Sequence, residues 1–247
     1  MANLFSISEA LLEKTFQTNL FGAIKVTQAV LPHFRERRAG KLAYMGSGFG
    51  WAPLPCLTLF GASKAGLSST RPTHCPEFKP FRRSMLTPNS LLVFVEGLHK
   101  EVAPFNIRAV VFEIGGFHSP GGRPNPAAGE PNVGGGYPTI EDYQPIFADT
   151  VTKITKEIKP KIPNDAAKLP GAIISILTSQ DLAAGKPFPV RVAIGIDSLR
   201  VVRQKCQEQL KSCDEWEDVS VSVVKDGAST EVNEVLMKSC SMLGITG

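Results

Sequence analysis

The chain has 247 residues, 43% hydrophobic and 20% charged, with 22 Gly and 19 Pro. That length can bury its own core in one domain, and the composition excludes collagen-like, coiled-coil and wholly disordered chains. The formal charge of +4 comes from scattered basic residues, so no nucleic-acid-binding footprint is expected.

Ser6-Ile7-Ser8-Glu9 reads as a capping box, a hydroxyl for the N3 amide with a carboxylate reaching back. Leu12, Phe16, Leu20, Ile24 and Leu31 then recur at helical spacing, which predicts one long helix from about Ser8 to Phe34. Arg35, Arg37 and Arg38 suit the negative end of its dipole, and Gly40 is placed to stop it. A strand is expected at 41–46, then a Gly/Pro-rich loop and a helix from near Leu59. From Thr70 to Phe94 four prolines and three arginines support neither a helical nor a strand period. The helical pattern resumes with Val95, Leu98 and Val102. Ile107–Glu113 then reads as a buried parallel strand. A loop is expected at 115–137, helices at 143–157 and 164–178, a last strand at 190–194, and a helix at 198–217. On that last helix Cys206 and Cys213 are expected to face the core as small hydrophobes. The final thirty residues carry no clear signal.

This alternation predicts an α/β fold with a parallel sheet, in a single domain. The five cysteines include no CxxC pair, and MANLFSISEALLEK lacks a basic n-region followed by an apolar h-region. A cytoplasmic protein in a reducing compartment is therefore expected. No apolar run approaches the roughly 20 residues a membrane-spanning helix needs. His33, His74, His99 and His118 are dispersed, and no metal site is expected.

Four positions belong together by spacing: Asn19 in the first helix, Ser47 at the first strand's end, and Phe60 and Lys64 one helical turn apart in FGASK. With TNLFGAIKVTQAVLPHFRERRAGKLAYMGS, FGASKAGLSS, LHKEVAPFNIRAVVFEIGGFHS and PFPVRVAIGIDSLRVVRQK around them, the chain resembles the classical short-chain dehydrogenase/reductase family, near its 17β-hydroxysteroid and retinol dehydrogenase-like branch. The resemblance implies a partial Rossmann-like sheet, the C-terminal part of that fold, with its three strands side by side at one edge. It implies an oxidoreductase using NADP or NAD to reduce a carbonyl or oxidise an alcohol. The substrate would be small and apolar: a simple alcohol, a steroid, a retinoid or a secondary metabolite.

Carried over by motif, Asn19 holds a water in the proton path, Ser47 meets the substrate oxygen, and Lys64 holds the nicotinamide ribose. Gly115 and Ser119 lie against the coenzyme, Ser119 facing its carboxamide. The family's catalytic tyrosine is Phe60 here, so weak turnover, or none, is expected. No Gly-rich pyrophosphate turn precedes the first helix, so the chain is expected to be N-terminally truncated and to bind coenzyme poorly. Gly134-Gly135-Gly136 lacks the strand–turn–helix context to replace it. Residues 70–94 read as an insert from a retained intron, an imperfect gene model or a lineage insertion. Joining Ser69 to Val95 would restore one family-like helix of the kind that forms the family's dimer interface. Residues 115–145 would be a substrate lid, with Tyr137, Tyr143 and Phe147 supplying an apolar lining. A bare edge on the first strand is expected to favour homo-oligomers or another strand-edge partner. The alternative function is therefore a catalytically silent interaction partner.

Overall fold

The computed structural model describes residues 8–52, 54–68, 94–117, 140–225 and 227. Its first helix, α1 (Glu9–Phe16), is capped by Ser8, whose Oγ accepts the Leu11 amide at 3.2 Å. The expected capping box is thus displaced. Leu11, not a carboxylate, occupies the third helical position, and Glu9 sits in the first turn, where its charge suits the dipole. Ser6 lies outside the described residues.

The expected single helix is two. A π-helical turn at Gln17–Phe21 separates α1 from α2 (Gly22–Arg37), with the Gly22 amide bonded to the Gln17 carbonyl five residues back. The chain turns out of α2 at Arg38, which adopts the left-handed conformation (φ 47°). The Arg38 and Ala39 amides bond the carbonyls of Arg35 and Phe34. Gly40 is therefore not the stop signal; it is the first residue of β1 (Gly40–Met45).

β1, β2 (Ile107–Ile114) and β3 (Arg191–Ile194) form a parallel sheet in that order. Gly40 pairs with Ile107 and Met45 with Phe112; Val111 pairs with Arg191 and Ile114 with Ile194. The α/β class and side-by-side strand order match the sequence reading. Parallel strands need long crossovers. The first described helices between β1 and β2 are α3 (Thr58–Ser68) and α4 (Phe94–Val102). Between β2 and β3 lie α5 (Gln144–Thr152), which continues as a π-helical stretch to Ile158, and α6 (Leu169–Thr178).

β2 is central, so both of its faces are covered. Ile107 and every residue from Ala109 to Glu113 are at most 1% exposed. Ile107, Ala109 and Val111 pack with Phe16, Leu20, Tyr44, Val95, Leu98 and Val102. The helical stripe of Leu12, Ile24 and Leu31 closes over that cluster. One polar pair lies in this apolar region: Thr27 Oγ1 and the Tyr44 hydroxyl are 2.6 Å apart, and Thr27 also donates to the Ala23 carbonyl. Burial pushes the Tyr44 phenol up to about 12, against a smaller opposing effect of the Thr27 bond.

The contacts divide the chain after Val202 into two compact units. α7 (Ile196–Glu215) begins in the first and ends in the second, where α8 (Glu217–Val221) follows. Cys206 and Cys213 are exposed in the second unit, contrary to the expectation that they face a core. Leu210 and Trp216 on the same stretch are also exposed. A seven-residue repeat fixes a helix face but not whether anything covers it. Among the described residues no helix is long and apolar enough to cross a membrane.

Candidate active site

In a parallel α/β sheet, functional groups gather where strands end at their carboxyl termini, and the candidate residues collect there. Asn19 lies in the π turn, a local widening common at functional sites. Its Nδ2 donates to Ser63 Oγ at 2.8 Å. Ser63, fully buried on α3, donates to the Phe60 carbonyl at 2.8 Å. The next residue, Lys64, donates from Nζ to the Met45 carbonyl at the end of β1, at 3.0 Å. Ser47 follows two residues later and is 9% exposed. Its Oγ accepts the Phe49 amide at 3.3 Å, capping the 3₁₀ turn Gly48–Gly50. The Phe49 and Phe60 rings meet edge to face, 6.5 Å apart. Asn19, Ser47, Phe60 and Lys64 are thus linked, directly or through one neighbour, around the start of α3.

Burial pulls the Lys64 ammonium below the ordinary lysine value. That ammonium has three protons and uses one on Met45. Among the described residues the other two meet no recorded acceptor, a donor set that fits ribose hydroxyls. Phe60 brings an apolar ring and no proton.

Gly115 is occupied differently. Its amide donates to the Ile194 carbonyl at 2.8 Å, and a Cβ there would run into Asp197. Packing against the start of α7 accounts for the glycine. The Gly116 amide donates to Asp197 Oδ2 at 2.6 Å, and Asn164 Nδ2 donates to Asp197 Oδ1 at 2.7 Å. Ser119 and Tyr137, most of the 115–145 segment, and the 70–94 segment up to its last residue lie outside the described residues. Phe94 opens α4. Phe147 is buried on α5 and packs against Cys56. Among the described residues no group of three or more His, Cys, Asp or Glu side chains is placed to hold a metal ion. A cavity of about 400 Å³ lies between α6 and β3, lined by Ile176, Leu182, Phe188 and Val192 among others.

Sequence reasoning missed the polar layer beneath Ser47. Glu113, 1% exposed at the end of β2, accepts the Ser47 amide on Oε2 at 3.2 Å. Arg191 on β3 approaches Glu113 Oε1 at 3.8 Å and bonds Glu96 Oε1 on α4 at 2.8 Å. The available signal was a glutamate closing the apolar run IRAVVFE, with an arginine in the last expected strand.

The fold and this arrangement define the class: an α/β protein with a parallel sheet whose polar groups collect at the strands' carboxyl ends. The short chain dehydrogenase family profile matches residues 1–81. Human 11-beta-hydroxysteroid dehydrogenase type 2 is 37% identical over 65 residues, covering 26% of this chain and 16% of that protein. An uncharacterized short-chain type dehydrogenase/reductase of Sinorhizobium fredii is 36% identical over 67 residues, 27% of each chain. A crystal structure of a short-chain dehydrogenase from Streptomyces avermitilis superposes with a TM-score of 0.62 at 23% identity, over 90% of this chain and 66% of that one; it bears on the fold alone. The matched stretches span about a quarter or less of these two curated relatives. The short-chain dehydrogenase/reductase family is thus what the matched stretches of this chain are similar to.

Proposed function

We propose that the chain carries the site of an NAD(P)-dependent oxidoreductase that interconverts a carbonyl and an alcohol on a small apolar substrate, with turnover weakened by Phe60. The observation that carries this reading is the linkage of Asn19, Phe60 and Lys64 to the Ser47 turn through Ser63, Met45 and Phe49. The coenzyme, NADP or NAD, supplies or accepts the hydride. Lys64 holds its ribose hydroxyls with the two ammonium protons not used on Met45. Ser47 Oγ bonds the substrate oxygen, and Asn19 steadies a water between itself and Lys64. By resemblance, the Ser119 hydroxyl meets the coenzyme's carboxamide. The resemblance to a hydroxysteroid dehydrogenase favours a steroid-sized substrate; a retinoid or a secondary metabolite shares the same apolar character.

Proton transfer is the weak step. A positioned general acid contributes about 10² to 10⁴ in rate, and the phenyl ring at position 60 cannot supply it. The Ser47 hydroxyl or the Lys64-held water takes that part slowly. Phe60→Tyr is therefore expected to raise kcat/KM for NAD(P)H-dependent reduction of a small ketone by about 10² to 10⁴. Fluorescence titration should show NADPH or NADH bound to both proteins.

A second reading rests on the β1 edge, which among the described residues pairs only with β2. Such an edge can take a strand from a second copy or another partner, making the chain a silent interaction partner. No coenzyme binding, no gain from Phe60→Tyr and concentration-dependent oligomers would together replace the first reading with this one.

A further inference from the structure

The apolar run of β2 ends on a fully buried carboxylate. Glu113 Oε2 accepts the Ser47 amide at 3.2 Å. A Cβ on Gly46 would come within 2.8 Å of the same oxygen, so the residue before Ser47 is one that leaves this space open. The other oxygen faces Arg191 at 3.8 Å. Arg191 is fixed from two further sides, by Glu96 at 2.8 Å and by the Trp51 ring 4.9 Å from its guanidinium carbon. Trp51 directly follows the 3₁₀ turn that Ser47 caps. The turn is therefore held at its start by Glu113 and at its end through Arg191 and Trp51. A buried charge needs a partner and well-directed hydrogen bonds to be tolerated, and this arrangement supplies both.

We infer that Glu113, held by Arg191, is the positioning residue for Ser47: it fixes the backbone from which the Ser47 hydroxyl reaches the reacting oxygen. The catalytic part of this inference rests on the oxidoreductase reading; the hold on Ser47 does not. Displacing a reacting group by about 1 Å can cost on the order of 10²-fold in rate.

The test uses the full chain carrying Phe60→Tyr, with two further changes made separately. Glu113→Leu together with Arg191→Met removes both charges while filling their space. Glu113→Gln keeps an acceptor but not the charge. In the paired variant the Ser47 amide is expected to exchange with solvent about tenfold faster or more, that bond being lost, while the Val110 and Val111 amides keep their protection. The kcat for ketone reduction should fall on the order of 10²-fold with the KM for coenzyme unchanged. In Glu113→Gln the Ser47 amide proton resonance should move upfield, because a neutral acceptor bonds more weakly than a carboxylate. A folded paired variant with full Ser47 protection overturns the inference. If the paired variant does not fold, an unmoved Ser47 resonance in Glu113→Gln overturns it. Loss of Ser47 protection with unchanged kcat overturns the catalytic part. A Phe60→Tyr protein without activity removes the oxidoreductase reading instead, and the exchange measurement still decides whether Glu113 holds Ser47.

Discussion

The two ends of β2 are built on different physics. From Ala109 to Phe112 the side chains are sealed by apolar packing, each residue at 0% exposure, with one side-chain contact to the backbone where His99 Nδ1 meets Ala109. Beyond Phe112 burial gives way after Glu113 to partial exposure, and the chain is held by directed polar bonds: the Ser47 amide to Glu113, Ser198 Oγ to the Glu113 carbonyl at 2.7 Å, and the Gly116 amide to Asp197. Apolar packing tolerates exchange of similar shapes. A polar cluster requires each partner in place, because an unmet buried donor bears its full desolvation cost. The tolerant end supports the sheet, and the exacting end supports the turns where the candidate site lies.

This contrast can be sharpened by experiment. Phe112→Ala should have the largest effect, lowering unfolding free energy by about 3–5 kcal/mol in urea titration while leaving coenzyme titration of the folded fraction unchanged. Equal losses of stability and coenzyme affinity would break the division between the two ends.

Next comes the polar pair inside the apolar half. The unfolded Tyr44 phenol releases its proton near 10.0, whereas the folded one keeps it to about 12. Between those values the unfolded state binds fewer protons, so raising the pH favours unfolding. Stability from this group is complete below pH 10 and falls by about 2–3 kcal/mol as the pH reaches 12. Tyr44→Phe should remove that portion of the alkaline loss in parallel denaturation curves, and identical pH slopes in the two proteins would contradict it.

Asp197→Ala should have the smallest effect, about 1–2 kcal/mol, from the Gly116 amide and Asn164 Nδ2 losing their acceptor. Faster exchange at Gly116 but not at Val111 would confine the change to the polar end.

The same contrast explains what could be read from the sequence. Val110, Val111 and Phe112 announce themselves as a run, and Leu12, Phe16, Leu20 and Ile24 as a period, because apolar burial imprints on neighbouring positions. FGASK and the serine closing β1 were recognisable because residue type and order carry them. Glu113 could not be paired with Ser47 by any local rule, since 66 residues separate them; Ser198 lies 85 residues from its acceptor. The π turn was hidden for a different reason. Its composition is ordinary helix, and only the Gly22-to-Gln17 bond makes it wide. The exposed Cys206 and Cys213 mark the converse limit, a correct period with nothing in it to say which side meets solvent.

The strictly parallel order of the sheet also governs how the chain is made. Gly40 waits for Ile107 and Val111 for Arg191, so no strand can zip to its neighbour in sequence as a hairpin does. On the ribosome β1 emerges long before β2, its partner among the described residues, and that pairing waits throughout the interval. Such distant closures slow folding and extend the time open to misassociation. Synthesis rate and chaperone supply should therefore govern the yield of folded chain more strongly than its final stability.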